Sequence, residues 1–230
     1  MTAFFALIPA AGVGSRMATG QPKQYLHLAG KPVLRHVLDT FAASAAITHI
    51  YVVVAEDDTA IDALMAQVAH LQARVTVLRG GGATRSQTVH NALQALRAAC
   101  DDDDWLLVHD AARPGLTTAL IDSLIATLRA DPVGGLLALP VVDTIKRADG
   151  SARSIETVPR DDLWTAQTPQ MFRYRLLCDA LARPGAFTDE AGAVEALGLQ
   201  PKLVQGSARN FKLTLPDDLA LAALYLAHPA

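Results

Sequence analysis

Two apolar runs in this chain pass straight into glycine-bearing loops, and this repeated corner restricts the fold more than any other feature. The first run, Phe4 to Ile8, leads into Pro9-Ala10-Ala11-Gly12-Val13-Gly14-Ser15-Arg16-Met17. The second, Arg74 to Leu78, leads into Gly80-Gly81-Gly82-Ala83-Thr84-Arg85-Ser86-Gln87-Thr88-Val89, which opens a helix through Leu93 and Leu96. Apolar runs this short read as buried strands, and two strand-loop-helix corners of this kind fall on the same carboxyl edge of a parallel sheet, where such sheets bind ligands. Ile50 to Val54, with three consecutive valines, reads as a central strand, and Trp105 to Val108 and Gly134 to Pro140 continue the series. Helices are predicted from Pro32 through Phe41, from about Thr59 to Leu71, from Thr117 to Ala130, from about Arg173, from Thr188 and from Leu215-Pro216-Asp217-Asp218. Leu203 to Gly206 and Phe211 to Thr214 are predicted as edge strands. The alternation predicts a three-layer α/β fold with a mostly parallel sheet.

Of the 230 residues, 51% are hydrophobic, enough to bury one substantial core, so a single domain spanning 1–230 is expected. Residues 141–160 break the pattern. Thr144, Lys146, Arg147, Arg153 and Glu156 surround Asp149-Gly150, a hairpin signal with too few apolar residues for a core of its own. It is expected to project as an arm and to rest on something else, such as a second subunit. A formal net charge of −3 excludes a broad electrostatic footprint for nucleic acid, so positive charge should be local and aimed at small anions. Cys100 and Cys178 are far apart and unpaired in spacing, which argues against a zinc cluster or a disulfide framework. The N-terminus has neither a basic region nor a long apolar run, so no signal peptide or membrane span is expected and a cytoplasmic location follows.

The first loop admits three readings: a plain strand-to-helix turn, a dinucleotide fingerprint, and a nucleotidyltransferase loop. A dinucleotide site wants a third glycine where Met17 stands and has no use for Arg16 and Lys23 in the same loop, although Glu56 and Asp57 follow the second strand where an acid would hold a ribose. Small residues let the backbone approach a phosphate, while Arg16 and Lys23 supply positive charge where an attacked phosphoryl group gathers negative charge. The fourth strand ends in His109-Asp110-Ala111-Ala112-Arg113-Pro114. Asp110 reads equally as a structural ion-pair partner of Arg113 and as a Mg²⁺ ligand bridging to triphosphate oxygens. His109 reads as a packed histidine, and Asp101 to Asp104 as a solvated connection.

These segments, together with Pro22-Lys23-Gln24-Tyr25, Asp143-Thr144, Leu163-Trp164, Thr168-Pro169-Gln170 and Thr188-Asp189-Glu190-Ala191, resemble the 2-C-methyl-D-erythritol 4-phosphate cytidylyltransferases over nearly the whole chain. The resemblance implies a Rossmann-like sheet with a dimerising β-arm. It also implies a Mg²⁺-dependent reaction in non-mevalonate isoprenoid synthesis, in which CTP and methylerythritol phosphate give the cytidine diphosphate conjugate and pyrophosphate. It places CTP on Ala10, Ala11, Gly12, Gly14, Gly82, Thr88, Asp110 and Ala111, with Asp110 holding the metal. Arg16 and Lys23 match residues that stabilise the α-phosphate in its pentavalent state, and Arg160 and Lys212 match those that position the acceptor phosphate. Arg113, Thr144 and Thr168 belong with the acceptor, and Thr144 and Arg160 would come from the other copy's arm. The chain departs from the family pattern at Thr88, where a serine is expected, at Ala83, where an acid is frequent, and at Arg209, where an aspartate that contacts the acceptor hydroxyls is expected.

Three alternatives remain open at this point. A cytidylyltransferase for another polyol phosphate, such as ribitol 5-phosphate, would use the same loops. A nucleotide-binding regulatory module would share the cradle but has no reason to combine Arg16, Lys23, Asp110 and Lys212. A dinucleotide-dependent oxidoreductase would need a different first loop.

Overall fold

The computed structural model describes residues 2–12 and 21–228. In chain order its strands are β1 (Phe4–Pro9), β2 (His27–Leu28), β3 (Lys31–Pro32), β4 (His49–Val54), β5 (Val75–Arg79), β6 (Trp105–Val108), β7 (Gly134–Pro140), β8 (Ile145–Ala148), β9 (Ser154–Val158), β10 (Trp164–Arg173) and β11 (Lys202–Gln205). The α-helices are α1 (Val33–Ala43), α2 (Ala60–Gln67), α3 (Arg85–Ala95), α4 (Thr118–Leu128), α5 (Tyr174–Leu181), α6 (Glu190–Glu195) and α7 (Asp218–Ala227).

A seven-stranded sheet in the order β11-β7-β10-β6-β1-β4-β5 forms the centre. Within it β1 pairs parallel with β4 and β6, β4 with β5, and β7 with β11, while β10 runs antiparallel to both β6 and β7. Strands β1 and β6 are apolar at every position because both faces are covered. Along β1, Ala6 and Ile8 point into one core with residues of α1, α2 and α4, and Phe5 and Leu7 point into the other with residues of α3, α5 and α6. The predicted three-layer, mostly parallel α/β architecture is therefore the one observed. The chain leaves β1 toward β4 and β5, then returns to the opposite side at β6. That reversal opens a crevice at the carboxyl ends of β1 and β6, the position where sheets of this type bind ligands.

Local differences from the sequence reading have physical causes. The helix expected to about Leu71 stops as α-helix at Gln67 and tightens into a 3₁₀ turn at Ala69–Leu71. Pro32 ends β3 and precedes α1 instead of occupying its first turn. Asp104, expected in a solvated connection, is buried, because its carboxylate accepts from the backbone N–H groups of Ala3 (2.7 Å) and Asp101 (2.8 Å). Strand β10 is missing from the sequence reading because Gln167, Thr168 and Gln170 interrupt its apolar pattern. In the structure the ladder shifts register between Ala166 and Gln170, and this irregularity carries Thr168 beneath the end of β6. Phe211 to Thr214, expected as an edge strand, is irregular: Leu213 N–H donates to the Ala112 carbonyl at 2.9 Å and draws the segment across the crevice. Residues 145–158 form the expected hairpin of β8 and β9, almost wholly exposed, with Ile155 62% and nearby Val142 76% accessible.

Candidate active site

One cavity of about 510 Å³ occupies the crevice, lined by Pro9, Ala10, Ala11, Gly12, Lys23, Gln24, Gly82, Ala83, Thr84, Arg85, Thr88, Asp110, Ala111, Ala112, Lys212 and Thr214. Its first wall is the end of β1, where Ala10 N–H donates to the Val53 carbonyl at 2.7 Å and the chain turns out of the sheet. The second wall is the glycine loop after β5. Gly81 has no room for a side chain: an added Cβ would stand 2.3 Å from Ala11 Cβ and 3.0 Å from the Val54 carbonyl oxygen, so the second loop packs directly on the Ala11 side chain of the first. Thr84 caps α3 by accepting from Gln87 N–H at 3.1 Å, which leaves the electropositive first turn of that helix facing the cavity.

Thr88 is almost fully buried and does more than present a hydroxyl to a ligand. Its Oγ1 accepts from Gly82 N–H at 3.0 Å and donates to the Thr84 carbonyl at 3.0 Å, closing the glycine loop on itself. One lone pair of Oγ1 is left for a ligand amino group.

Asp110 is the hub of the opposite wall. Arg85 Nε donates to its Oδ1 at 2.8 Å, and Lys212 Nζ (3.0 Å) and Arg113 Nε (3.3 Å) donate to its Oδ2. Burial acts to raise the pKa of this carboxyl, but Arg85, Lys212 and Arg113 outweigh it and hold the group well below the ordinary carboxylate range. Arg85 is in turn gripped by Glu190 through two parallel bonds, Nη1 to Oε1 at 2.6 Å and Nη2 to Oε2 at 2.9 Å. Behind Asp110 runs a buried relay. Its N–H donates to Thr168 Oγ1 at 3.0 Å; Thr168 Oγ1 lies 3.0 Å from His109 Nδ1, and His109 Nε2 lies 3.2 Å from the Arg113 carbonyl. A carbonyl can only accept, so Nε2 carries the proton and the Thr168 hydroxyl donates to Nδ1. Burial, the largest influence, pulls His109 down to about 4, so the ring is neutral and packed, as its sequence context suggested.

Lys23 stands in a 3₁₀ turn, Lys23–Tyr25, and its Nζ donates to the Leu213 carbonyl at 2.8 Å, one residue from Lys212. Its neighbours fix the turn: Gln24 Nε2 donates to the Ala10 carbonyl at 2.6 Å and Tyr25 Oη to Asp58 Oδ2 at 2.6 Å.

The cavity thus brings together Ala10, Ala11, Gly12, Lys23, Gly82, Thr88, Asp110, Ala111 and Lys212. Gly14 and Arg16 lie outside the described residues. Arg113 and Thr168 are not on its lining: both sit behind Asp110, Arg113 also donating to the Asn210 carbonyl at 2.8 Å. Thr144 and Arg160 are exposed at the base of the arm and do not line the cavity of their own chain. Ala83 lines the cavity without a polar group. Arg209, where an acid was expected, turns away: its guanidinium lies 5.3 Å from the Tyr225 ring centroid and donates to the His228 carbonyl just past α7, so its charge complements a helix C-terminus instead of entering the site. Arg85, Thr84, Gln24 and Thr214 also line the cavity and were not assigned from the sequence. For Arg85 the signal was available, since it is the first helical residue after the glycine loop.

Among the described residues no cluster of three or more His, Cys, Asp or Glu side chains could cage a metal. Asp110 is the carboxylate that lines the cavity, so it is the side chain there that could hold a divalent cation as a single protein ligand.

A mostly parallel α/β sheet that sets the end of β1, a glycine loop and a knot of cations around one carboxylate at its carboxyl edge suits a nucleotidyltransferase, and comparisons with known proteins show that class. Residues 4–228 match the family model described as 2-C-methyl-D-erythritol 4-phosphate cytidylyltransferase. Proteins of that name from Dechloromonas aromatica (52% identical over 226 residues) and Nitrosospira multiformis (53% over 230 residues) are each covered to 98%, as is this chain. A crystal structure of a 4-diphosphocytidyl-2C-methyl-D-erythritol synthase superposes with a TM-score of 0.87 at 42% identity, covering 98% of this chain and 99% of that one. The chain belongs to the 2-C-methyl-D-erythritol 4-phosphate cytidylyltransferase family.

Proposed function

We propose that the protein transfers the cytidylyl group of CTP to 2-C-methyl-D-erythritol 4-phosphate, forming 4-diphosphocytidyl-2-C-methyl-D-erythritol and pyrophosphate. The observation that carries this reading is the cavity itself, where the small residues Ala10, Ala11 and Gly12 and the second glycine loop face Lys23, Lys212 and the Asp110 knot within about 510 Å³. Family membership over 4–228 supports the choice of donor and acceptor.

In this reading CTP lies along Ala10, Ala11, Gly12 and Gly14 and against Gly82, with the base near Thr88 and the phosphates toward Asp110 and Ala111. An ionised oxygen of the acceptor phosphate attacks the α-phosphorus. The bond from that phosphorus to the bridging oxygen breaks, and pyrophosphate leaves with the electron pair. The nucleophile is already an anion at neutral pH, so no general base is required; positioning and neutralisation of charge carry the rate. Arg16 and Lys23 are assigned to the α-phosphate, where charge accumulates. Lys212 is assigned to the acceptor phosphate, with Arg113 and Thr168 bracing Asp110 beside it. Asp110 would hold a magnesium ion, whose chemistry is to neutralise charge on the triphosphate oxygens.

The arm completes the acceptor half in a dimer. Thr144 and Arg160 do not reach the cavity of their own chain, and the arm exposes Val142 and Ile155 without a core beneath them, which supports a role for Thr144 and Arg160 of the partner subunit. Sedimentation is expected to give a dimer at micromolar concentration. A monomer independent of concentration would remove the arm from the site. Among the described residues no helix is long and apolar enough to cross a membrane, in keeping with a cytoplasmic enzyme acting on water-soluble phosphates.

The chemistry is tested with CTP bearing sulfur at a defined non-bridging α-position. A single in-line displacement inverts the configuration at phosphorus, and retention would replace the proposed mechanism by one through a covalent intermediate.

A further inference from the structure

Glu190 is fully buried and takes no part in the chemistry described above. Its place is nonetheless fixed from the central sheet. Gln170 on β10, itself buried, donates to Asp189 Oδ2 at 2.8 Å and accepts from Ala191 N–H at 2.8 Å, while Asp189 caps α6 by accepting from Gly192 N–H at 3.0 Å. The two residues flanking Glu190 are thus tied to the sheet, and its carboxylate is delivered to Arg85 as a planar fork. The two bonds to Glu190 use both terminal nitrogens of Arg85, leaving Nε, which points at Asp110 Oδ1. Burying such a pair is costly, and packed apolar residues in its place would serve stability as well or better. What the pair provides that they would not is a guanidinium of fixed orientation on one oxygen of Asp110.

We propose that Glu190 is a positioning residue for cytidylyl transfer: by clamping Arg85 it keeps one Asp110 oxygen occupied and leaves the other, shared with Lys212 and Arg113, as the oxygen that exchanges partners when substrate phosphates enter. The clamp also keeps Arg85, which lines the cavity, from following the triphosphate. This inference rests on the proposed reaction.

The test uses Glu190→Gln, which removes the charge at constant shape, and Glu190→Asp, which keeps the charge but withdraws it by one methylene so that the fork cannot close. In purified variants kcat is expected to fall about 10- to 100-fold, as for misplacement of a reacting group by about 1 Å, with the calorimetric Kd for CTP, measured without acceptor, within about threefold of wild type. In an Arg85→Gln background, Glu190→Gln is expected to lower kcat no further. Where Glu190→Gln does not fold, Glu190→Asp carries the test alone. Unaltered kcat in a folded variant, or losses that multiply in the double variant, overturn the inference. Wild-type protein that does not turn over CTP with 2-C-methyl-D-erythritol 4-phosphate overturns the proposed reaction instead.

Discussion

Lys23→Ala is expected to lower kcat by about 10³-fold while CTP still binds with an affinity within a few-fold of wild type, the magnitude typical of removing one donor aimed at charge that develops only in the transition state. The turn that carries Lys23 does not depend on its side chain: Gln24 is tied to the Ala10 carbonyl and Tyr25 to Asp58. Loss of the Nζ bond to the Leu213 carbonyl should lower the melting temperature by several degrees without unfolding the variant, and the loss of rate should fall on the chemical step. Single-turnover kinetics beside calorimetry with CTP separate the two quantities. Near-normal turnover in the folded variant would remove Lys23 from the reaction, whereas an equal loss in kcat and binding would make it a ground-state phosphate contact.

Asp110→Asn is expected to act on stability and activity together. The substitution keeps the shape and leaves Arg85, Arg113 and Lys212 converging on a neutral amide. Breaking a buried ion pair from one side costs about 3 kcal/mol, which for a chain of this size lowers Tm by roughly 10 °C. Activity measured well below that melting point should fall by at least about 10³-fold, because the carboxylate that organises the three cations, and would hold magnesium, is gone. Raising the magnesium concentration should not restore it. A variant with wild-type Tm and kcat would reduce Asp110 to a bystander.

The parts of the fold that were legible in the sequence are those in which one physical demand dominates. Strands β1 and β6, and β4 from Ile50 onward, are apolar because both faces are covered, and that pattern cannot be mistaken for a solvated loop. Strand β10 was illegible because its middle serves the site: Gln167 bonds to Ser207 and Asn210, Thr168 to Asp110, and Gln170 to α6, so polar residues stand where a strand would show apolar ones. The site was legible in the same uneven way. Motifs pointed to Lys23 and Asp110 and the family resemblance to Lys212, and all three line one cavity. The motif context of Arg85 and Glu190 was visible, but a salt bridge across 105 residues leaves no local trace. The direction of Arg209 depends on where α7 returns, which the residues flanking it do not encode.

The central claim, that this cavity joins CTP to one particular polyol phosphate, is tested most directly by pyrophosphate release from CTP with 2-C-methyl-D-erythritol 4-phosphate, with ribitol 5-phosphate, and with no acceptor. The expected result is release that strictly requires an acceptor, with kcat/KM for the methylerythritol phosphate at least about 10²-fold above that for the ribitol phosphate, a ratio that a few placed contacts to the acceptor suffice to produce. Release without acceptor, or preference for the ribitol phosphate, would contradict it.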